Sequence, residues 1–180
     1  MIASIKIFHK YLILQAVTIL INSVYSTLED THLRVLLNYA EEDLYSAERQ
    51  TYAFPLLHAL LKRQLRTEEM ETIGDKVLKL AVTGDTDASR NCAKTFFISY
   101  LMDYPLGETK VERYMIKLLG NLAYQMETGR QSMINCVHQV IQQFPPKLLW
   151  PRVALVFSSL AATHSGDDSI GKRLELVFGF

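Results

Sequence analysis

The residues whose types could carry chemistry are five histidines, two cysteines, two acidic clusters and one short acid-aromatic-proline-glycine stretch. The histidines are His9, His32, His58, His138 and His164, and no two have the spacing of a zinc site or share a helix face with a glutamate in the metalloprotease pattern. His58 and His138 fall beside an apolar stripe, where a partly buried structural imidazole is expected. Cys136 and His138 bring a thiol and a base together in sequence, but residues two apart on a helix point about 200° apart, so the thiol has no base there. Gly120 and Gly129 join no phosphate-cradling pattern. The reading therefore assigns no catalytic, cofactor-binding or metal-ligating residue, no cofactor and no small-molecule substrate.

The acidic clusters are Ala40-Glu41-Glu42-Asp43 and Glu68-Glu69-Met70-Glu71. The second opens a helical pattern, where the helix dipole favours carboxylates. The first closes one, where it does not; it reads as a solvated corner, with an interaction role as the alternative. Asp103-Tyr104-Pro105-Leu106-Gly107 offers an acid and a phenol, but proline disfavours helix at the residue before it and suits the second position of a tight turn. Pro105 lies fifteen residues after Arg90, and Pro145 lies fifteen after Arg130, each behind an aromatic, Tyr104 or Phe144. A turn recurs in this way; a reactive loop does not.

The elements that position these residues are helices, since apolar residues recur at three and four spacing almost throughout. Breaks are expected near Tyr25 to Leu28, Asp43 to Ala47, Gln64 to Thr67, Gly84 to Asp87, Tyr104 to Gly107, Glu127 to Gly129, Phe144 to Lys147 and His164 to Asp168. Ser26 with Glu29, Thr109 with Glu112 and Thr128 with Gln131 read as capping boxes. Pro55 falls inside a helix and is expected to kink it.

The helices repeat. Arg49, Arg90, Arg130 and Arg173 stand 41, 40 and 43 residues apart, and the third and seventh residues after them are Tyr52 and Leu56, Ala93 and Phe97, Met133 and Val137, and Leu176 and Phe180. The eleventh is Leu60, Leu101 and Ile141 in the first three. Those offsets share one helix face. Lys10 acts as an earlier anchor, with Ile13, Val17 and Ile21 at the same offsets. A unit of about forty residues with two antiparallel helices is the HEAT or armadillo type of all-α solenoid. The repeats are expected at 6–43, 46–83, 87–126 and 128–163 with a partial one at 168–180, in a single segment over 1–180. Their second helices are expected over 29–43, 68–83, 109–126 and 147–163. The apolar ending Leu174-Glu175-Leu176-Val177-Phe178-Gly179-Phe180 is unlike a polar capping repeat, so a longer solenoid or a covering partner is expected.

Nineteen Lys plus Arg balance nineteen Asp plus Glu, so the net charge gives no field to gather nucleic acid or a membrane surface. Lys62, Arg63 and Arg66 are the local basic residues placed to touch a phosphate backbone. Both cysteines, Cys92 and Cys136, read as small core residues in a reducing compartment. Residues 1–26 have a signal-peptide outline, but Gln15 and Thr18 interrupt the apolar run from Tyr11 to Ile21, which is shorter than the ~20 residues of a membrane span. Two readings stand: a first helix, or a leader cleaved after about Ser26 in a secreted protein.

Three blocks, 39–65, 76–107 and 121–145, with Tyr104-Pro105-Leu106-Gly107 and Glu127-Thr128-Gly129-Arg130 as their most specific pieces, carry a resemblance. They resemble the very large HEAT-repeat proteins of the small-subunit processome, the family of the U-three small nucleolar RNA-associated protein twenty, also called "down-regulated in metastasis". The resemblance implies a non-enzymatic scaffold in the nucleus and nucleolus, acting in pre-ribosomal RNA processing and small-subunit biogenesis. Its partners would be proteins of a pre-ribosomal particle, with weak or indirect contact to pre-ribosomal or small nucleolar RNA, and no membrane. Without that resemblance, the solenoid alone reads as a generic adaptor or transport scaffold binding peptides or proteins.

Overall fold

Helices of this length are marginal in water and persist by burying one face against a neighbour, so the buried positions show what holds each one. The computed structural model describes residues 2–23, 29–64 and 66–144, and these form helices with no strand among them. The elements are α1 (Ile2–Asn22), α2 (Asp30–Asp43), α3 (Ala47–Leu61), α4 (Glu68–Thr83), α5 (Asp87–Asp103), α6 (Glu108–Gly120), a 3-10 turn (Asn121–Ala123) and α7 (Glu127–Gln143). The all-α helical-repeat class expected from the period is the class observed. The helix expected over 147–163, the partial repeat at 168–180, the cap at Ser26 and the turn at Pro145 lie outside the described residues.

From α2 on, each helix opens with an acid in its first turn: Asp30, Glu48, Glu68, Asp87, Glu108 and Glu127. That charge meets the positive end of the dipole. The capping boxes expected at Thr109 and Thr128 do not form. α6 is capped by Gly107 and α7 by Met126, so Thr109 and Thr128 already lie inside the helices. The hydroxyls that cap are Thr67, whose Oγ1 accepts the Met70 N–H at 3.2 Å, and Thr86, whose Oγ1 accepts the Ser89 N–H at 3.1 Å.

Among the described residues, those up to Val77 with Thr95–Pro105 form one compact unit, and Leu78–Lys94 with Leu106–Phe144 form another. In the first, α1 and α2 both pack on α3. Tyr52, Leu56 and Leu60 of α3 are buried, as the period requires, and Phe96, Tyr100 and Tyr104 form a run of ring contacts beside Phe54. Each such large side chain contributes about 1.5–3 kcal/mol by leaving water. The Lys10 register is corrected by one residue: Ile13 is 61% exposed, and Leu14 and Ile21 are the buried positions. The line 10, 14, 17, 21 follows the 3.6-residue turn more closely than the offsets carried over from the later anchors. The α1 residues of the supposed leader thus have a place in the packing. Tyr11 meets Tyr52 edge-on at 5.3 Å, and Arg63 donates to the Ile21 carbonyl at 2.6 Å.

Pro55 does not end α3; it sits on the exposed side of a continuous helix.

In the second unit α7 packs on α6 and on the 3-10 turn, with Tyr114, Leu118, Met133, Val137 and Val140 buried. The break expected at Glu127 to Gly129 is corrected, because α7 begins at Glu127 and Gly129 is buried in its first turn. A Cβ on Gly129 would lie 2.6 Å from the Tyr124 ring and 2.8 Å from the Val82 carbonyl, so glycine serves close approach here, not helix breaking. One turn on, Ser132 Oγ donates to the Ala81 carbonyl at 2.7 Å. That carbonyl is one of the last four of α4, which have no partner within their own helix.

Candidate functional site

The chemistry-bearing residues singled out by type are mostly absorbed by packing. Asp43 ends α2 with its carboxylate fully buried, held by Lys10 at 2.8 Å and Arg49 at 3.3 Å. Glu41 pairs with Lys76, whose ammonium is raised above its ordinary pKa chiefly by that bond. Asp43 and Glu41 are therefore bound within the chain, not solvated, while Glu42 is exposed. Of the second cluster, Glu69 pairs with Arg34 at 3.3 Å. Among the local basic residues, Arg63 is committed to the end of α1, while Lys62 and Arg66 are exposed.

His58 is half-buried, edge-on to Phe96 at 5.2 Å. Burial holds its pKa down, helped by Lys62 and opposed by Asp103. His32 and His138 are exposed, and His138 lies 2.8 Å from the Gln142 amide. Cys136 is buried and its thiol is pushed up to about 12 by desolvation, so it stays protonated. Cys92 is exposed, contrary to the core role expected for it. The inward line on α5 is Ala93, Phe96, Phe97 and Tyr100, and Cys92 lies one residue, or about 100°, off it. Among the described residues no group of three or more His, Cys, Asp and Glu comes together, and no helix is long and apolar enough to cross a membrane.

The stretch 103–107 is a bend with a structural duty. Tyr104 is buried, stacks on Tyr100 at 5.1 Å, and its hydroxyl accepts the Thr67 N–H at 3.1 Å. Gly107 carries φ +79° at the start of α6, a backbone conformation that side chains resist. The Tyr-Pro-Leu-Gly order thus supplies a ring for the core, a helix stop and a reversal.

The repeating arginines have a common task that their spacing alone did not reveal. Arg90 donates to the Gly84 carbonyl six residues back and pairs with Asp87 three back. Arg130 does the same with the Tyr124 carbonyl at 2.9 Å and Glu127, and adds the Gln125 carbonyl at 2.8 Å. At Arg49 the partner six residues back is the Asp43 carboxylate, and the Leu44 carbonyl is taken instead by Gln50 at 2.8 Å. Arg49, Arg90 and Arg130 each hold the stretch that leads into their own helix; Arg173 lies outside the described residues. Asp87-x-x-Arg90 and Glu127-x-x-Arg130, forty residues apart, were the visible signal.

The first turns of α5 and α7 border a polar cleft of about 490 Å³. Asp87, Arg90, Asn91 and Lys94 line it from α5. Thr128, Gln131 and Asn135 on α7 bring hydroxyl and amide groups, with Glu127 at the same rim. The Asp87 and Glu127 side chains are 88% and 72% exposed, whereas Lys94 is only 7% exposed. Burial lowers the Lys94 pKa, although Asp87 pulls the other way. The cleft holds opposed charges and amides that both donate and accept.

Stacked helices, arginine-tied loops and a polar cleft define a helical-repeat protein of the solenoid class. No family model matches the chain. It is 27% identical over 141 residues to the U3 small nucleolar RNA-associated protein 20 of Schizosaccharomyces pombe, covering 78% of this chain and 6% of that protein. It is 29% identical over 144 residues to the protein of the same name in Saccharomyces cerevisiae, covering 80% and 6%. The resemblance read from residues 39–145 is borne out as a similarity: the chain is similar to a stretch of these two proteins and spans about 6% of their length.

Proposed function

We propose that this chain serves as a non-enzymatic helical-repeat scaffold in the small-subunit processome, acting in pre-ribosomal RNA processing and small ribosomal subunit biogenesis in the nucleolus. The observation that carries this reading is the similarity, along about four-fifths of the chain, to two proteins named for association with U3 small nucleolar RNA. The described helices support the scaffold part, since Asp43 and Glu41, the acids that looked most available, are spent on ion pairs with Lys10 and Lys76. On this reading the units are hairpins at 6–43, 46–83, 87–126 and 128–163, with a partial one at 168–180. The partners are proteins of a pre-ribosomal particle. RNA contact is weak or indirect, because a balanced charge of nineteen against nineteen lacks the cationic excess that phosphate binding draws on.

The test is affinity purification of the tagged full-length gene product, followed by mass spectrometry and RNA sequencing. Co-purification of small-subunit precursor proteins with U3 small nucleolar RNA is the expected result. Their absence, with transport or trafficking proteins in their place, would overturn the processome reading and leave a generic adaptor.

A further inference from the structure

We propose that the cleft between the first turns of α5 and α7 is a docking site for a single carboxylate side chain on a partner protein, received by Lys94. The proposal takes from the scaffold reading only that the occupant is a protein.

Lys94 is 93% withdrawn from solvent, lines the cleft, and has no hydrogen bond or ion pair among the described residues. An ammonium in that position loses hydration without recovering it from a counter-ion. Its neighbours do not supply one. The Asp87 carboxylate is turned out to solvent and engaged by Arg90, and the Cys136 thiol is protonated. Arg90 is itself committed to the Gly84 carbonyl and Asp87. Burial also weakens the ammonium's hold on its proton, which an arriving anion would reverse.

The rim selects the kind of anion. Asp87 and Glu127 at the mouth are each paired with an arginine, and of the two cations lining the cleft only Lys94 is uncommitted, which matches one carboxylate and not the row of phosphates a nucleic-acid backbone brings. A peptide brings one carboxylate flanked by backbone N–H groups, which those two acids accept. Gln131 and Asn135, 3.4 Å apart, can both give and take hydrogen bonds along a peptide. The cleft of about 490 Å³ is roomy enough for a side chain and its adjoining backbone.

The experiment is a nuclear magnetic resonance titration of the full 180-residue chain. The probes are a blocked Ser-Gly-Glu-Gly-Ser peptide, its Gln counterpart and a short oligouridine. The Glu peptide is expected to shift the Lys94 side-chain signal and the amides of Asn91, Gln131 and Asn135, and to bind about tenfold or more tightly than the Gln peptide, as a charge-assisted bond to a buried partner implies. Lys94→Met should erase that preference. Should this variant not fold, Gln131→Ala at the exposed rim serves instead, and is expected to weaken both peptides while keeping the preference. Equal binding of the two peptides, a preference that survives Lys94→Met, or tighter binding of oligouridine at the same signals would each overturn the proposal. A failed titration beside a successful pre-ribosomal purification would remove the cleft and leave the scaffold standing.

Discussion

Replacing Tyr104 by phenylalanine removes one oxygen and keeps the ring, so it isolates what the hydroxyl does for the bend. That hydroxyl accepts the Thr67 N–H at 3.1 Å, and Tyr104 and Thr67 are each 6% exposed. The amide belongs to the residue that caps α4, so in Tyr104→Phe it would be buried without its partner, at a cost of about 1–2 kcal/mol. The stacking on Tyr100 survives the change and offsets nothing. For a chain of this size that cost lowers the melting temperature by roughly 2–8 °C. Thermal denaturation followed by circular dichroism reads the shift, with Tyr39→Phe as the control, since that ring is 47% exposed. Hydrogen exchange supplies the local reading: the Thr67 amide should lose protection by more than its neighbours. A Tyr104→Phe variant that melts with the parent and keeps Thr67 protected would refute the assignment of the bend as a clasp on the loop ahead of α4.

Two glycines should respond in opposite directions to alanine. Gly129→Ala drives a Cβ to 2.6 Å from the Tyr124 ring and should cost about 1–3 kcal/mol in urea unfolding, while Gly120→Ala meets nothing within 4 Å and should stabilise by up to about 1 kcal/mol. His58 has its folded-state pKa below its ordinary 6.5, so the unfolded chain takes up its proton first; its contribution to stability is full above pH 6.5 and is lost as pH falls toward the folded value. Urea midpoints should therefore fall between pH 7 and pH 5 by more in the parent than in His58→Gln; equal falls would remove His58 as a source of the pH dependence.

Much of the architecture was legible because a forty-residue period is a long-range signal that no single helix can counterfeit. Tyr52, Ala93 and Met133, with Leu56, Phe97 and Val137, are buried as their offsets require. Local signals fared worse. Thr109 and Thr128 match the capping-box pattern, yet the backbone starts both helices two residues earlier, because Gly107 turns the chain and Glu127 already meets the dipole. Gly129 looked like a break, but a glycine in a helix also marks where another backbone comes close, and only the neighbours distinguish the two. Cys92 and Ile13 each miss the buried line by one residue, which on a helix is the difference between core and solvent. The cleft was not legible at all. Its two walls come from residues about forty positions apart, and Lys94 reads in sequence as an ordinary surface lysine.

The arginines that tie each loop to its own helix also work as a ruler. Arg90 and Arg130 reach backbone six residues back, and Arg49 reaches a side chain at the same distance. One residue added between Gly84 and Asp87, or between Tyr124 and Glu127, would leave the guanidinium pointing at the wrong carbonyl. The joints leading into α3, α5 and α7 are thus held to a fixed length. The drift in period from 41 to 40 to 43 has to be absorbed elsewhere in each unit.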